Sequence, residues 1–353
     1  MINKAANLMP HITKFTNITK FIHLSHLLIL GYLVGLISVV QAQDPVYSQF
    51  YSNPLELNPA LAGVSGGTRI GLNYRNQWPN LNANYTTYAI SADHYFTNFN
   101  SGLGAALSYD NSAYGIIRTI NAEIAYAYQL QTRNDAKIRL GFQAGIISAS
   151  LDWDKLIFYD AIDPEFGPIS PGGTPYPTDE IPPDYTHVTR IDASVGGLYI
   201  DNRFYAGLSL KHLARPDITF YKPTNTKKGL PIRTIFHAGY EFPIETNAYR
   251  RNEVSIVPNI LVAKQGITGQ INAGVLVNIS TINAGLYYRH AFHNPDAVIV
   301  SIGMDYQNIR AGYSYDATIS KLGFSTGGTH EVFLSVVFQQ EPETKYDCRK
   351  IFR

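Results

Sequence analysis

One short motif in the chain matches a catalytic pattern. Gly63-Val64-Ser65-Gly66-Gly67 fits the G-x-S-x-G sequence that surrounds the nucleophilic serine of many hydrolases. Such a serine needs a buried strand before it and a helix after it, because the sharp turn between them exposes the hydroxyl. Here an Asn-Pro loop precedes the motif, and an alternating, strand-like segment follows it. We therefore predict that the protein is not an enzyme and has no catalytic residues.

Acidic and histidine residues are the candidate metal ligands. His290 and His293 lie close together, but no cysteine, histidine or acid completes a zinc set. Cys348 is the only cysteine, so neither a disulfide nor a thiolate metal site can form within one chain. Four aspartates share one Pro- and Gly-rich segment but lack the spacing of a calcium loop: Asp152, Asp154, Asp160 and Asp163. We expect solvated loop acids, no metal and no cofactor.

The segment over 43–67 matches neither the helical nor the strand period, yet it is rich in apolar residues. Asn53-Pro54 and Asn58-Pro59 interrupt it, since a proline disfavours helical backbone at the residue before it. Such a segment needs cover, which the lumen or rim of a large β-structure would supply, so we predict a plug or docking segment. The candidate plug or partner-binding residues in it are Ser48, Gln49, Phe50, Asn53, Pro54, Leu57, Asn58, Pro59, Ala60 and Gly63.

The first strand-like segment, 68–78, adds four more candidates. Arg69, Arg75 and Gln77 fall on its inward face, and Trp78 ends it. Guanidinium and amide groups donate several hydrogen bonds, so these residues suit acidic or carbonyl groups of the plug segment or of a partner peptide. The simpler alternative is that they only satisfy buried backbone groups of the plug segment. The sequence leaves both readings open.

Residues 1–42 have the composition of a signal peptide. Three lysines and no acid precede an apolar stretch over 21–40, and Val40-Gln41-Ala42 offers a cleavage site. An uncleaved transmembrane helix is the alternative, because the apolar stretch has about the length that spans a bilayer. Cleavage would remove three of the 28 basic residues and none of the 27 acidic ones, leaving 25 against 27. This balance argues against nucleic acid as a partner.

From residue 68 onward, apolar and polar residues alternate with the period of a β-strand. The polar positions are rich in Gly, Ser, Asn, Gln and Thr, and apolar faces often end in an aromatic residue such as Tyr74, Tyr128 or Tyr306. Apolar-out, polar-in strands with aromatic ends are typical of outer-membrane barrels, and lipid forces such a sheet to close. We predict an all-β fold, a transmembrane outer-membrane β-barrel of about 14 antiparallel strands over 68–340. An irregular N-terminal periplasmic or lumenal segment precedes it, and a tail over 341–353 follows it.

The strands are expected near 68–78, 84–96, 102–110, 116–131, 136–148, 188–200, 203–213, 231–242, 253–263, 269–278, 281–291, 297–307, 309–316 and 329–339. The long connections over 151–186 and 214–230 are predicted outer loops, and short ones such as 201–202 are predicted periplasmic turns. Pro258 falls inside a predicted strand, where it should weaken the strand or mark a bulge. A soluble β-sandwich or lipocalin-like barrel is the alternative fold.

The start of the mature chain carries several short motifs in a fixed order: Asp44-Pro45, Ser48-Gln49-Phe50, Asn53-Pro54-Leu55, Leu57-Asn58-Pro59-Ala60, Gly63, Arg75-Asn76-Gln77-Trp78 and Ser91-Ala92-Asp93. In order and spacing they resemble the PorP/SprF family of the type IX secretion and gliding systems of Bacteroidetes. The resemblance implies a bacterial outer-membrane barrel that helps to export or surface-anchor a cargo protein such as a gliding adhesin. It also implies three partners: a cargo with a C-terminal sorting domain, a periplasmic peptidoglycan-associated protein and outer-membrane lipid.

Two other functions compete with this one. A FadL-like transporter of hydrophobic small molecules is the first, because such barrels also have about 14 strands and an N-terminal plug with the triplet found here as Asn58-Pro59-Ala60. A passive porin is the second, but it would need charge rings around a wide polar lumen. The inward faces are predicted to be Gly-rich and low in charge, which favours a filled lumen over an open one.

Overall fold

The computed structural model describes residues 44, 46–81, 84–132, 136–222, 229–244, 254–338 and 352. The predicted signal peptide over 1–42, Pro45, Cys348 and all of the predicted tail except Phe352 lie outside the described residues. No described residue belongs to a helix long and apolar enough to cross a membrane.

The described chain is built mainly from strands, which we number in chain order. They are β1 Thr68–Gln77, β2 Tyr85–Phe96, β3 Ser101–Ser112, β4 Ile117–Gln131, β5 Lys137–Leu151, β6 His187–Ile200, β7 Phe204–Lys211, β8 Arg233–Tyr240, β9 Phe242–Ile244, β10 Val254–Gln265, β11 Thr268–Ile279, β12 Ile282–Ala291, β13 Asn294–Tyr306, β14 Ile309–Thr318 and β15 Thr329–Phe338. One α-helical turn, α1, covers Pro54–Leu57. Short 3-10 turns cover Phe50–Ser52, Pro59–Leu61, Thr97–Phe99, Ala113–Gly115, Trp153–Lys155, Tyr159–Ala161 and Phe324–Thr326.

These strands form one closed antiparallel barrel. Strands that follow one another in sequence pair, except that β8 and β9 both pair with β10. β1 pairs with β15 along its whole length, from Thr68 opposite Phe338 to Gln77 opposite Thr329. β8 and β9 pair with the same neighbour, β10, so they occupy a single place in the wall. The result is a closed barrel of 14 strands, which confirms the predicted fold class.

Pro258 lies within β10, but it does not produce a bulge. The pairing of β10 with β8 starts at Asn259 opposite Gly239, and its pairing with β9 resumes at Ile256 opposite Phe242, in the same register. Proline has no N–H to donate, so the hydrogen-bond ladder lapses beside it and the facing strand divides into β8 and β9. The one wall position made of two strands is therefore explained by a single residue.

The two faces of the wall differ as the alternation predicts. On β1 the side chains of Ile70, Leu72 and Tyr74 are exposed on the outside, whereas Arg69 and Arg75 are buried inside. The connections over 97–100, 201–203 and 307–308 lie at one end of the barrel, which we call the short-turn end. The connections over 152–186 and 212–232 lie at the other, the long-loop end. In outer-membrane barrels the short-turn end faces the periplasm.

Candidate functional site

The described residues between 44 and 67, which we call the lumenal strip, lie inside the barrel. Ser48 is level with Arg75 near the end of β1, Ser52 hydrogen-bonds Asn73, and Gly63 hydrogen-bonds Asp93 beside the start of β1. Because β1 runs from the short-turn end to the long-loop end, the strip runs the opposite way. Its first residues therefore lie near the long loops and its last residues near the short turns.

The two Asn-Pro pairs give the strip its local shape. Pro54 and Pro59 each occupy the first turn of a short helix, where a missing N–H costs nothing and the fixed φ suits the helix. Asn58 ends α1 and caps the following 3-10 turn, because its Oδ1 accepts a hydrogen bond from Ala60 N at 2.9 Å. Two single turns, rather than one helix, fold the strip compactly enough to fit within the wall.

Asn58 is fully buried against the wall. Its Nδ2 donates to the carbonyl of Gly197 at 3.1 Å and lies 3.2 Å from Nε2 of His237. The seat is formed by Gly196 and Gly207, since a Cβ at Gly196 would collide with Asn58 Oδ1 and one at Gly207 would collide with the His237 ring. The inward glycines of β6 and β7 therefore make room for a side chain of the strip.

Arg139 of β5 clamps the next turn of the strip. Its Nε donates to the carbonyl of Ala60 at 2.8 Å, its Nη2 donates to the carbonyl of Ala62, and its Nη1 donates to Gln129 Oε1 at 2.8 Å. Gly141, two residues along β5, lies so close that a Cβ there would collide with the backbone of Ala60. The buried Arg139 guanidinium thus satisfies two backbone carbonyls of the strip.

A carboxylate performs the complementary task near the start of the strip. Glu331 of β15 accepts hydrogen bonds from the backbone N–H groups of Ser48 at 2.8 Å and Gln49 at 3.0 Å. The Ser48 hydroxyl donates to Asp316 Oδ2 at 2.7 Å and accepts from Arg75 Nη1 at 2.6 Å. The strip is therefore bound on the β14–β15–β1 side of the wall as well as on the β5–β7 side, which lies opposite.

The middle of the strip is held by β7. Lys211 Nζ lies 2.6 Å from Glu56 Oε1 in a pair that is largely buried, and the hydroxyl of Ser209 donates to the carbonyl of Leu57 at 2.8 Å. Apolar contacts fill the remaining space. The rings of Phe50 and Tyr51 pack against Tyr287 of β12 at centroid distances of 6.4 and 6.5 Å.

Asp44, the first described residue, is held at the long-loop end. Its Oδ2 lies 2.6 Å from His212 Nε2 and 3.1 Å from Arg233 Nη1, and His212 Nδ1 lies 2.7 Å from Asp192 Oδ2. Burial lowers the pKa of His212, but its hydrogen bonds to Asp192 and Asp44 outweigh burial and raise the pKa to about 9. Burial raises the pKa of Asp44, but His212 and Arg233 outweigh it and leave this pKa below its usual range. At neutral pH an imidazolium therefore bridges two carboxylates.

In the part of the chain that the structure describes, three of the candidates predicted on the first strand, Arg69, Gln77 and Trp78, contact other residues of the wall and not the strip. Arg69 pairs with Asp93, which in turn accepts the N–H of Gly63 at 2.8 Å. Gln77 accepts a hydrogen bond from Arg75 at 3.2 Å, and Trp78 packs edge-to-face on Tyr85 at 6.0 Å. Among the candidates on β1, only Arg75 bonds the strip directly in the described structure.

The residues that satisfy the strip backbone were not among the predicted site residues. They include Asp93, Arg139, Ser209 and Glu331, which come from four different strands. The alternation of polar and apolar residues was a usable signal, because it places both Arg139 and Gly141 on the inward face of a predicted strand. Alternation does not indicate which inward residue meets the strip, since that depends on how distant strands assemble around it.

The inward surface also carries more charge than the sequence suggested, which corrects the expectation of a low-charge lumen. Arg69, Arg139, Asp192, Arg289 and Glu331 are all buried. Arg289 pairs with Asp316 at 2.8 Å and also with Asp296. These charges are paired with one another or with the strip, so they do not form the single-sign rings of an open pore.

The catalytic and metal candidates lie in other surroundings. Ser65 is fully buried, and the residues after it lead into β1 rather than a helix. Asp152 pairs with Arg118 and Lys155, both at 3.2 Å, while Asp163 accepts N–H groups of its own loop. Within the described ranges, no three His, Cys, Asp or Glu side chains are grouped to hold a metal ion.

Solved structures that resemble this chain include several bacterial outer-membrane proteins. Omp33 of Acinetobacter baumannii shares 7% identity with a TM-score of 0.43, over 78% of this chain and 100% of that one. BamA from Haemophilus ducreyi, lacking POTRA domains 1–3, shares 12% identity with a TM-score of 0.37, over 78% and 70%. The CymD monoaromatic hydrocarbon channel shares 12% identity with a TM-score of 0.41, over 85% and 95%. No curated protein matches the sequence at a significant level.

A family model gives a sharper result than these structures. The model for the type IX secretion system membrane protein PorP/SprF matches residues 39–336, which include the lumenal strip and nearly all of the barrel. A closed barrel with an apolar outer face and a buried polar interior is the form in which such a protein resides in the bacterial outer membrane. The chain belongs to the PorP/SprF family of type IX secretion system membrane proteins.

Proposed function

We propose that this barrel works as a plugged component of type IX secretion that helps to export or surface-anchor a cargo protein. The supporting observation is that the lumenal strip bonds to strands on opposite sides of the lumen, through Glu331 and Arg75 on one side and Arg139 on the other. Between the strip and strands β8 and β10, a cavity of about 20 Å³ remains. That volume holds about one water molecule, so the strip packs closely against this part of the wall.

With the lumen filled, the long-loop end is the surface we propose for the cargo. Asp160 accepts hydrogen bonds from Asp179 N and the Thr178 hydroxyl, which lower the pKa of its carboxyl. Asp184 accepts the N–H of Lys222 at 2.7 Å, which likewise lowers its pKa and joins the two long loops. Loops shaped in this way display large apolar side chains to solvent: Ile157, Tyr159, Phe166 and Ile181. Such side chains suit contact with a protein.

The other proposed partners follow from the remaining surfaces. The outward-facing Ile, Leu, Val and Tyr side chains of the wall suit the acyl chains of outer-membrane lipid. The short-turn end would meet a peptidoglycan-associated protein, since this end faces the periplasm in outer-membrane barrels. The cargo is proposed to carry a C-terminal sorting domain, in keeping with the family to which the chain belongs.

A crosslinked pull-down from outer membranes tests this proposal. Three forms would be compared by mass spectrometry: the wild type, a double variant Tyr159→Ala and Ile181→Ala, and a control Leu72→Ala on the lipid-facing side of β1. We expect the wild type and the control to recover a large secreted protein together with a periplasmic peptidoglycan-binding protein. The loop variant should lose the secreted protein and keep the periplasmic one, because the two bind opposite ends.

Recovery of no protein partner by the wild type would overturn the proposal. In that case binding of hydrophobic small molecules to the purified barrel would be the next measurement, since it tests the FadL-like alternative directly. Equal recovery of the secreted protein by all three forms would place the cargo contact outside the long loops.

A further inference from the structure

Phe352, the second-to-last residue, is buried inside the barrel near its short-turn end. The side chain has no exposed surface, and it belongs to the same apolar cluster as Phe50, Leu57 and Leu61 of the lumenal strip. Its ring meets Tyr205 edge-to-face at 4.9 Å and His237 at 6.1 Å. The segment predicted as a tail over 341–353 therefore reaches the interior of the barrel at Phe352.

Polar groups hold this residue as well as apolar ones. The carbonyl of Phe352 accepts a hydrogen bond from Arg69 Nη1 at 3.5 Å, across the lumen from Tyr205 on β7. His237 Nε2 faces the amide donor of Asn58, so its proton is assigned to Nδ1. That Nδ1 is buried and has no hydrogen-bond partner within the described part of the chain. A buried N–H beside the aromatic ring suits an acceptor oxygen of a bound peptide.

The contacts of Phe352 also reach the residues that fix the strip. His237 contacts Asn58, and Arg69 holds Asp93, which accepts the N–H of Gly63. Phe352 contacts both His237 and Arg69, so it lies next to the strip on the side of the short turns. The site thus has an aromatic wall, a guanidinium and an imidazole donor, all of them buried.

We propose that the short-turn end of the lumen contains a binding site for a peptide that carries a phenylalanine, and that Phe352 fills this site in cis. The ring binds between Tyr205 and His237, and the peptide oxygens bind Arg69 and His237 Nδ1. A second peptide of the same chemistry, presented from the periplasmic side, competes with the chain's own Phe352. This inference is independent of the proposed cargo role, because it concerns the opposite end of the barrel.

A photocrosslinking experiment on the full-length chain tests the cis occupant. Benzoylphenylalanine placed at position 352 should crosslink within the same molecule to peptides that contain Tyr205 or His237. Crosslinks that form only to other molecules, or only to segments outside β1, β7 and β8, would overturn the proposal. The chain in outer membranes and the purified chain in detergent should give the same crosslinks.

Peptide binding tests the chemistry of the site. The probe is a fluorescent peptide with the sequence of residues 345–353 carrying Cys348→Ser, titrated against full-length protein. The Phe352→Ala protein should bind it at least about tenfold more tightly than the wild type, because the cis competitor is gone. Phe352→Ala in the probe should abolish binding. In the Phe352→Ala protein, a further Tyr205→Leu change should weaken binding, whereas Phe204→Leu, on the outward face next to it, should not. Equal binding by the wild-type and Phe352→Ala proteins, or no binding by either, would overturn the proposal.

Discussion

At the scale of single residues, the lumenal strip stays inside the barrel because its irregular backbone finds charged partners there. Two carbonyls bind one guanidinium, that of Arg139, and two N–H groups bind one carboxylate, that of Glu331. Hydrogen bonds to charged groups contribute more than neutral ones, and leaving such groups unpaired after burial is costly. Each of these two side chains therefore determines the position of a whole turn of the strip.

Replacing Arg139 tests this view most simply. Arg139→Gln should remove the hydrogen-bond donor of the Ala60 and Ala62 carbonyls. The local stability of the strip should fall by about 1.5–3 kcal/mol. Hydrogen exchange at the amides of 60–63 should then accelerate by about 10- to 100-fold while the exchange of β5 changes little. Arg190→Gln, at an exposed arginine on β6, is the control and should leave the strip unchanged. Equal exchange rates in both variants would show that Arg139 does not hold the strip.

His212 gives the strip a pH dependence at its first residues. Since folding raises the pKa of His212 from 6.5 to about 9, its stabilising effect is complete below about pH 6.5 and is lost as pH rises through about 9. A spin label at position 46, in a chain carrying Val46→Cys and Cys348→Ser, should be immobile at pH 7 and mobile at pH 10. His212→Gln should make the label mobile at both values. A label that stays immobile at pH 10 in the chain that keeps His212 would contradict the proposed role of this histidine.

At the scale of elements, the strands were predictable from the sequence and the strip was not. Alternation alone located all of the wall positions, because a strand between lipid and a polar lumen must change polarity at every residue. The strip has no such period, and its conformation depends on Asn58, Arg139 and Glu331, which come together only when the barrel closes. The Asn-Pro pairs indicated an irregular, covered segment, but its partners required the structure.

Inward glycines are the element-level feature that lets the wall approach the strip. A Cβ at Gly196 would collide with Asn58, whereas one at Gly197, on the outward side, meets no atom closer than 3.9 Å. Gly196→Ala should therefore destabilise the barrel by about 1–3 kcal/mol, as overpacking does, and Gly197→Ala should change stability by less than about 0.5 kcal/mol. Urea unfolding in detergent micelles, followed by tryptophan fluorescence, measures both. A Gly197 variant as unstable as the Gly196 variant would show that the loss reflects backbone flexibility rather than the strip.

At the scale of the whole molecule, a barrel whose lumen is bonded to its own N-terminal strip has its binding surfaces at the two ends. The strip runs from the long-loop end to the short-turn end, so Asp44 lies near the long loops and Gly63 near the short turns. The strip is therefore attached to the wall near both ends of the barrel. This arrangement suits a component that relates partners on two sides of the outer membrane better than it suits a passive pore.

Electrical conductance across a planar lipid bilayer tests the central claim, that the strip closes the barrel, most directly. Full-length protein would be compared with a variant lacking residues 48–60, and both would first be shown to form β-barrels by circular dichroism. We predict that the wild type produces little or no steady conductance and that the deletion produces large, stable openings. A wild type that conducts as well as the deletion would contradict the account, because the lumen would then be open with the strip in place.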